Sequence, residues 1–408
     1  MLNSFKKFEF LDKFILYITL LYITQMLRVE ANYGILFLII YFLLTIFFIT
    51  YNFFKKKNYY SNYIFIFWIF LSFVYILLSL FELIPGNRRV FYKDQIIRTS
   101  YFIFLSYPIV STSYIIFSKY QNLENLKKDM LVFFYFFILL CLINTIFPIY
   151  DDYWLPSKSY AFLDLIKSYY FSGTNNIFIF LCFFILLYFF KNKLLTFSIF
   201  IILIYISTTF QIFIISILFS LILFFDLRKF LKFLFLIIVF SFLFLPLINL
   251  ETNSLFNLIN NLDPNLYTRI SRVHHSLSAV YNNLFFGLGY GSDSINDLYL
   301  ISEITALWGE GKYSNYKLIL IHNSIIYNFY ATGLIGGFLF IYYLFIYIFP
   351  KKFENICYEK LNLCLFSIIF ISLISNTALE SPNYSIAIFW IIGFLAAMNK
   401  KFDYSEKK

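Results

Sequence analysis

Apolar runs of about twenty residues recur along the whole chain, and no other feature constrains its fold as strongly. The stretch YIFIFWIFLSFVYILLSL, 63–80, contains no charged residue. About 20 apolar residues in helical form cross the hydrocarbon core of a bilayer. A helix suits that medium because it satisfies its own backbone hydrogen bonds. Strands of a membrane barrel leave a weak alternating pattern instead of continuous runs. Twelve runs qualify, at roughly 14–27, 33–54, 63–81, 99–117, 130–147, 177–190, 194–210, 211–225, 233–250, 323–349, 361–379 and 386–398. The expected fold is an all-α polytopic membrane protein of about 12 transmembrane helices, with one large exterior loop containing an amphipathic helix. Composition points the same way. With 61% hydrophobic and only 13% charged residues, the chain has too little charge to cover a soluble surface.

The basic residues set an orientation. With the N-terminus in the cytoplasm and the spans alternating, 21 of the 32 Lys and Arg residues fall on cytoplasmic segments, as the positive-inside rule requires. Both termini are then inside. The net charge of +10 is accounted for by topology and gives no ground for a nucleic-acid partner. Lys6, Lys7 and Lys13 precede the first run without a small-residue cleavage site after it, so that run reads as a retained signal anchor. The four cysteines, Cys141, Cys182, Cys357 and Cys364, have no metal-ligand spacing. Neither a metal nor a cofactor is expected. Phe and Tyr, 59 and 36 in number, are too common for any single one to mark a site.

The chain divides into 1–250 with nine spans, an exterior loop over 251–322, and 323–408 with three spans and a cytoplasmic tail. A loop of that length without its own role is uncommon in a compact protein. Within it, DPNLYTRISRVHHSLSAVYNNLFFG (263–287) opens with an N-cap aspartate and a proline. Leu266, Ile270, Val273, Leu277, Val280 and Leu284 then form one apolar stripe at helical spacing. Arg269, Arg272, Ser276 and Asn283 fall on a neighbouring polar strip. The two guanidiniums lie one turn apart, a spacing that suits gripping one anion, since the planar fork bonds phosphate oxygens in pairs. The other reading is a helix resting on the membrane with its arginines on lipid phosphates.

GLGYGS follows, with Gly287, Gly289 and Gly291 at alternate positions, which allow a tight turn and close approach of a ligand. It follows a helix, not a strand, so it is no dinucleotide fingerprint. Asp293, Asp297, Glu303 and Glu310 lack calcium-loop spacing. His322, one of only three histidines, then sits beside Asn323 where an apolar run begins. It reads either as a polar cap on that run or as a base poised near neutral pH and oriented by Asn323. Gly333, Gly336 and Gly337 are expected to let a neighbouring helix pack closely. Arg88, Arg89 and Arg98 break the positive-inside trend; they are either a solvated turn offset by Glu82 and Asp94 or an anion site at the outer surface. Glu380, in the exterior turn ESPNYS, either pairs with an arginine, orients the histidine or belongs to a capped turn.

Together, Arg269 and Arg272 before GLGYGS, then HNSIIYNFYATGLIGG, then a short final pair of spans resemble the O-antigen ligase/polymerase family of bacterial membrane enzymes. The likeness is most specific over 264–345. The resemblance implies metal-independent glycosyl transfer at the periplasmic face of the inner membrane. It implies an undecaprenyl-pyrophosphate-linked glycan donor. In ligases the acceptor is the sugar end of lipid A-core, and in polymerases it is a second lipid-linked glycan. It implies that His322 is the base and that Arg269 or Arg272 holds the pyrophosphate. The chain departs from the family pattern in the turn Ser207-Thr208-Thr209-Phe210-Gln211, which lacks the usual arginine. Arg88, Arg89 or Arg98 could replace it. A tryptophan usual after the loop arginine is also absent. The Trp308–Glu310 stretch and the ending ALESPNYSIAIFWIIGFLAAMNKK favour a ligase over a polymerase. A lipid-linked-glycan flippase is the rival of another class, and it calls for charges inside the spans, which are almost free of them here.

Overall fold

In a computed structural model of the chain, the described residues are 10–23, 34–55, 60–84, 93–120, 123–146, 183–187, 192–206, 210–244, 264–281, 283–291, 323–352, 356–375 and 382–405. They are mainly helical, with no strand among them. The helices are α1 (Phe10–Ile23), α2 (Gly34–Phe54), α3 (Tyr63–Leu80), α4 (Lys93–Lys119), α5 (Leu123–Ile146), α6 (Lys193–Ile206), α7 (Phe210–Phe224), α8 (Arg228–Phe244), α9 (Pro264–Tyr281), α10 (Ser324–Tyr343), α11 (Ile356–Ser375) and α12 (Pro382–Ser405). A π-helical turn, Leu344–Ile348, extends α10.

Asparagines and an aspartate start several helices. The side chain of Asn62 accepts from the backbone N–H of Phe65 (2.9 Å), that of Asn192 from Leu195 (3.2 Å), and that of Asp226 from Arg228 (3.4 Å). Each supplies an acceptor to one of the orphan donors at a helix start. The helices track the predicted spans with shifted ends. α4 begins at Lys93 and α5 at Leu123, ahead of the expected 99 and 130. Hydropathy marks where the apolar stretch begins, whereas residues such as Lys93, Gln95, Glu124 and Lys127 are good helix formers and carry the helix past it. Of the expected span 177–190 only 183–187 is described, and 207–209 and 245–250 lie outside the described residues.

Two helices, Tyr63–Leu80 and Ser324–Ile348, are long and apolar enough to cross a membrane by length and composition; Leu38–Phe54 and Ser385–Lys400 are shorter apolar helices. α1, α6, α7 and α8 have 14, 14, 15 and 17 residues. Large apolar side chains also face outward, among them Ile39, Leu43 and Phe47 of α2, Phe67 and Phe70 of α3, and Phe233 and Phe240 of α8.

α4 and α12 form the most extensive helix pair. Gly393 allows it: a Cβ there would lie 2.5 Å from both Ser113 Cβ and Val110 O. Ser113 Oγ donates to Trp390 O across the contact (2.6 Å), and Phe117 meets Trp390 and Phe394 edge-on. α3 and α10 run antiparallel. Phe65 stacks on Tyr343 and Trp68 on Phe340, with centroids 4.5 and 4.6 Å apart, and the Tyr60 and Tyr343 hydroxyls are 2.8 Å apart.

One end of the bundle gathers basic residues. Lys119 pairs with buried Asp12, Lys13 with Asp129 (3.0 Å) and Arg228 with Glu359 (3.6 Å). Lys360 Nζ donates to Leu223 O (2.7 Å). Lys232 lies over Phe345 and Phe349, and Lys400 over Tyr114. These contacts tie the N-terminal ends of α1, α5, α8 and α11 to the C-terminal ends of α4, α7 and α10. Asn399 Nδ2 adds α12 by donating to Tyr347 O (3.1 Å). At this end the Tyr120 hydroxyl donates to Asp129 Oδ2 (2.8 Å). Burial first, and the Asp129 carboxylate second, raise its pKa far above the usual tyrosine value, so it stays a donor.

Candidate functional site

The opposite end is organised by a break in α10. Its start is fixed by Asn323, which is buried with extended backbone (φ −158°, ψ 104°) and whose Oδ1 accepts from the Ile326 N–H (3.0 Å). Ser324, Asn328 and Thr332 follow at intervals of four, all buried. Asn328 Nδ2 donates to Ser324 O (3.0 Å) and Thr332 Oγ1 to Asn328 O (2.6 Å). This polar ladder lines one inward row of an otherwise apolar helix.

At Gly333 the helix breaks (φ 67°, ψ −165°), a conformation essentially reserved for glycine. In an unbroken helix Tyr330 O and Ala331 O accept from residues 334 and 335. Here the N–H of Leu288 donates to Tyr330 O (2.7 Å) and that of Gly289 to Ala331 O (3.0 Å), while the Leu334 N–H donates to Leu284 O (2.9 Å). The segment 283–291, which contains GLGYG, is thus inserted into the break and satisfies the backbone groups that the break releases. Gly287 (φ 65°) faces Gly333 directly. A Cβ on Gly287 would lie 2.4 Å from Gly333 N, and one on Gly333 would lie 2.3 Å from Phe285 O. Gly289 and Gly291 also have positive φ. The glycines bring the loop against α10 itself.

Two expectations change. Gly336 and Gly337 do not open a seam for another helix. A Cβ on Gly336 would meet Thr332 Oγ1 at 2.0 Å, and one on Gly337 would meet the Phe329 ring at 2.3 Å. Beside the break at Gly333, these glycines make room for the Thr332 and Phe329 side chains of α10 itself. Ser276, placed on the polar strip of α9, is buried, with its Oγ unpartnered among the described residues. Val273, Leu277 and Val280 of the expected stripe are buried too, because α9 packs against α10. The exposed residues at this end of α9 are Tyr281, Phe285 and Phe286.

Tyr290 anchors the loop. It is fully buried, its N–H donates to Ser79 Oγ at the C-terminal end of α3 (2.9 Å), and its ring meets Tyr327 edge-on at 5.8 Å. Sequence reasoning passed over Tyr290, Ser79 and Tyr327, since tyrosine is too common here to stand out. Ser324, Asn328 and Thr332 did carry a signal: polar residues four apart in an apolar helix.

The structure thus brings together Gly287, Gly289, Gly291, Asn323, the helix bearing Arg269 and Arg272, and the C-terminal end of α3. The backbone places Arg269 and Arg272 one turn apart in α9, and Arg98 in the second turn of α4, at the end of the bundle away from the basic cluster. His322, Arg88, Arg89 and Glu380 lie outside the described residues. Among the described residues no three His, Cys, Asp or Glu side chains form a metal-binding group.

The chain matches no family model, no curated protein and no solved structure.

Proposed function

We propose that the chain is a polytopic inner-membrane glycosyltransferase of the O-antigen ligase type. It transfers an undecaprenyl-pyrophosphate-linked glycan to a sugar hydroxyl of lipid A-core at the periplasmic face. One observation carries the reading. GLGYG and the run after His322-Asn323, the two motifs of the resemblance, are far apart in sequence yet joined by two backbone hydrogen bonds, with a third to Leu284 just before GLGYG, at one end of the bundle. The arginine-bearing α9 packs on the same helix.

Two further features support the membrane setting. The outward side chains of α2, α3 and α8 are large and apolar, as lipid requires and water disfavours. The lysine-rich end fits the cytoplasmic side; in this reading the loop end is periplasmic, the chain spans the membrane twelve times and both termini are inside. An irregular, broken helix at membrane depth is tolerated where protein buries it, as here.

In this reading His322 accepts the proton of the acceptor hydroxyl as its oxygen attacks the first sugar carbon of the donor. The bond from that carbon to the pyrophosphate oxygen breaks, and undecaprenyl pyrophosphate leaves. Arg269 and Arg272, with Arg98 and the pair Arg88 and Arg89 as further candidates, stabilise the charge growing on the leaving group.

A repeat-unit polymerase shares this chemistry and differs only in acceptor. The surface glycan of a deletion strain tests the assignment. Loss of all attached polymer with lipid-linked polymer accumulating supports the ligase, one residual repeat unit supports the polymerase, and an unchanged glycan overturns both.

A further inference from the structure

Asn323 uses only half of its amide in the fold. Its Oδ1 is committed to the helix cap, accepting from the Ile326 N–H at 3.0 Å. Because that partner is a donor, the capping atom must be the oxygen, and the NH2 group is turned the other way. Nδ2 is buried and has no hydrogen-bond partner among the described residues, in a residue only 1% exposed. A buried amide donor left unsatisfied is costly and rare in a folded protein. A helix cap does not need one, since Ser, Thr and Asp cap as well as Asn without a second donor. Two neighbours share the pattern. Asn328 Nδ2 is committed to Ser324 O, which leaves its Oδ1 buried and unpartnered, and the Ser276 hydroxyl of α9 is buried and unpartnered as well. Unused polar atoms of both kinds therefore lie on the two helices that meet behind the inserted loop.

We propose that Asn323 is a specificity-determining residue for the acceptor, its Nδ2 donating a hydrogen bond to a hydroxyl of the acceptor sugar beside the one that reacts. The assignment rests on the transferase reading, which puts the acceptor at the neighbouring His322. A sugar suits the position because its hydroxyls are both donors and acceptors, so one of them can accept from the amide N–H and still donate to another partner.

The cap and the donor can be separated by substitution. Asn323→Asp keeps an oxygen for the Ile326 N–H and the size of the side chain, but loses the donor. Asn323→Ser keeps a cap without introducing a charge. The assay uses the purified full-length protein, a lipid-pyrophosphate-linked oligosaccharide donor and a core oligosaccharide acceptor. Initial rates are measured against each substrate and across pH, with detergent unfolding run on the same samples. The expected result for both variants is an acceptor KM raised about tenfold, the loss of one neutral hydrogen bond. Donor KM stays unmoved in both, the pH profile stays unmoved in Asn323→Ser, and Asn323→Ser unfolds near the wild-type midpoint. Wild-type acceptor KM in both variants overturns the proposal and leaves Asn323 a cap. A shifted pH profile in Asn323→Ser, which brings in no charge, also overturns it, because the amide then serves the His322 imidazole. Inactive wild-type protein overturns the transferase reading itself and this role with it, a result distinct from active wild type with unaffected variants.

Discussion

Gly333→Ala tests the broken helix most sharply, because the usual expectation has the opposite sign. In an ordinary helix interior, replacing glycine by alanine stabilises by about 1 kcal/mol. At Gly333 the backbone has φ 67° and ψ −165°, which costs a residue with a Cβ about 1–3 kcal/mol. The new Cβ would also lie 2.3 Å from Phe285 O, 2.5 Å from Phe285 C and 2.7 Å from Gly287 N. All three are backbone atoms, which cannot rotate away as a side chain can. Relief requires the loop to leave the break, giving up the bonds from Leu288 to Tyr330, from Gly289 to Ala331 and from Leu334 to Leu284. At about 0.5–1.5 kcal/mol net for each bond, the total destabilisation is roughly 3–7 kcal/mol, or more than a hundredfold in the folded-to-unfolded ratio. The assay is equilibrium unfolding in mixed micelles titrated with a denaturing detergent. Gly287→Ala belongs beside it, since its Cβ meets Gly333 N at 2.4 Å. The two substitutions break the same contact, so the double variant should lose clearly less than the sum. Gly333→Ala as stable as wild type, or more so, would rule out the break, because α10 then runs through 333 unbroken.

Two further predictions concern the arginines and the topology. Lys at Arg269 or Arg272 keeps the charge but loses the paired fork, so transfer should fall about tenfold or more with either Lys or Ala; full activity of the double Lys variant would show that the arginines only anchor α9 to lipid. In a background without Cys141, Cys182, Cys357 and Cys364, a cysteine at the exposed Tyr281 should react with a membrane-impermeant thiol reagent in intact spheroplasts, while one at the buried Ser276 should not; labelling of Tyr281→Cys only after lysis overturns the orientation.

The all-helical character of the described residues and the rough position of their helices were legible in the sequence because an apolar run of twenty residues has few folds open to it. Helix ends were not, since Lys93 and Glu124 extend helices beyond the apolar stretch without changing its hydropathy. The stripe Val273, Leu277 and Val280 was legible by spacing, but its partner was not, because the same stripe suits a lipid surface or another helix. Ser276 shows the consequence: it sits on the polar strip by periodicity and is buried by α10. Glycine at 287, 289 and 291 announced a turn. That the turn enters a break at Gly333 was hidden, because the contact joins residues more than forty positions apart through backbone atoms alone. The half-used amides of Asn323 and Asn328 depend on atomic hydrogen-bond partners, which no spacing encodes.

In the proposed reaction, acceptor sugar and lipid-linked pyrophosphate meet at His322. Its most direct test is in vitro transfer by purified wild type and His322→Gln, at matched folded amounts, from a lipid-pyrophosphate-linked glycan donor. Glutamine can hydrogen-bond and cap a helix but cannot take a proton near neutral pH. The expected result is an active wild type and a His322→Gln protein that binds donor normally but transfers at least about a hundredfold more slowly, the usual scale of general-base catalysis. Transfer by His322→Gln at close to the wild-type rate contradicts it and makes the histidine part of a helix cap.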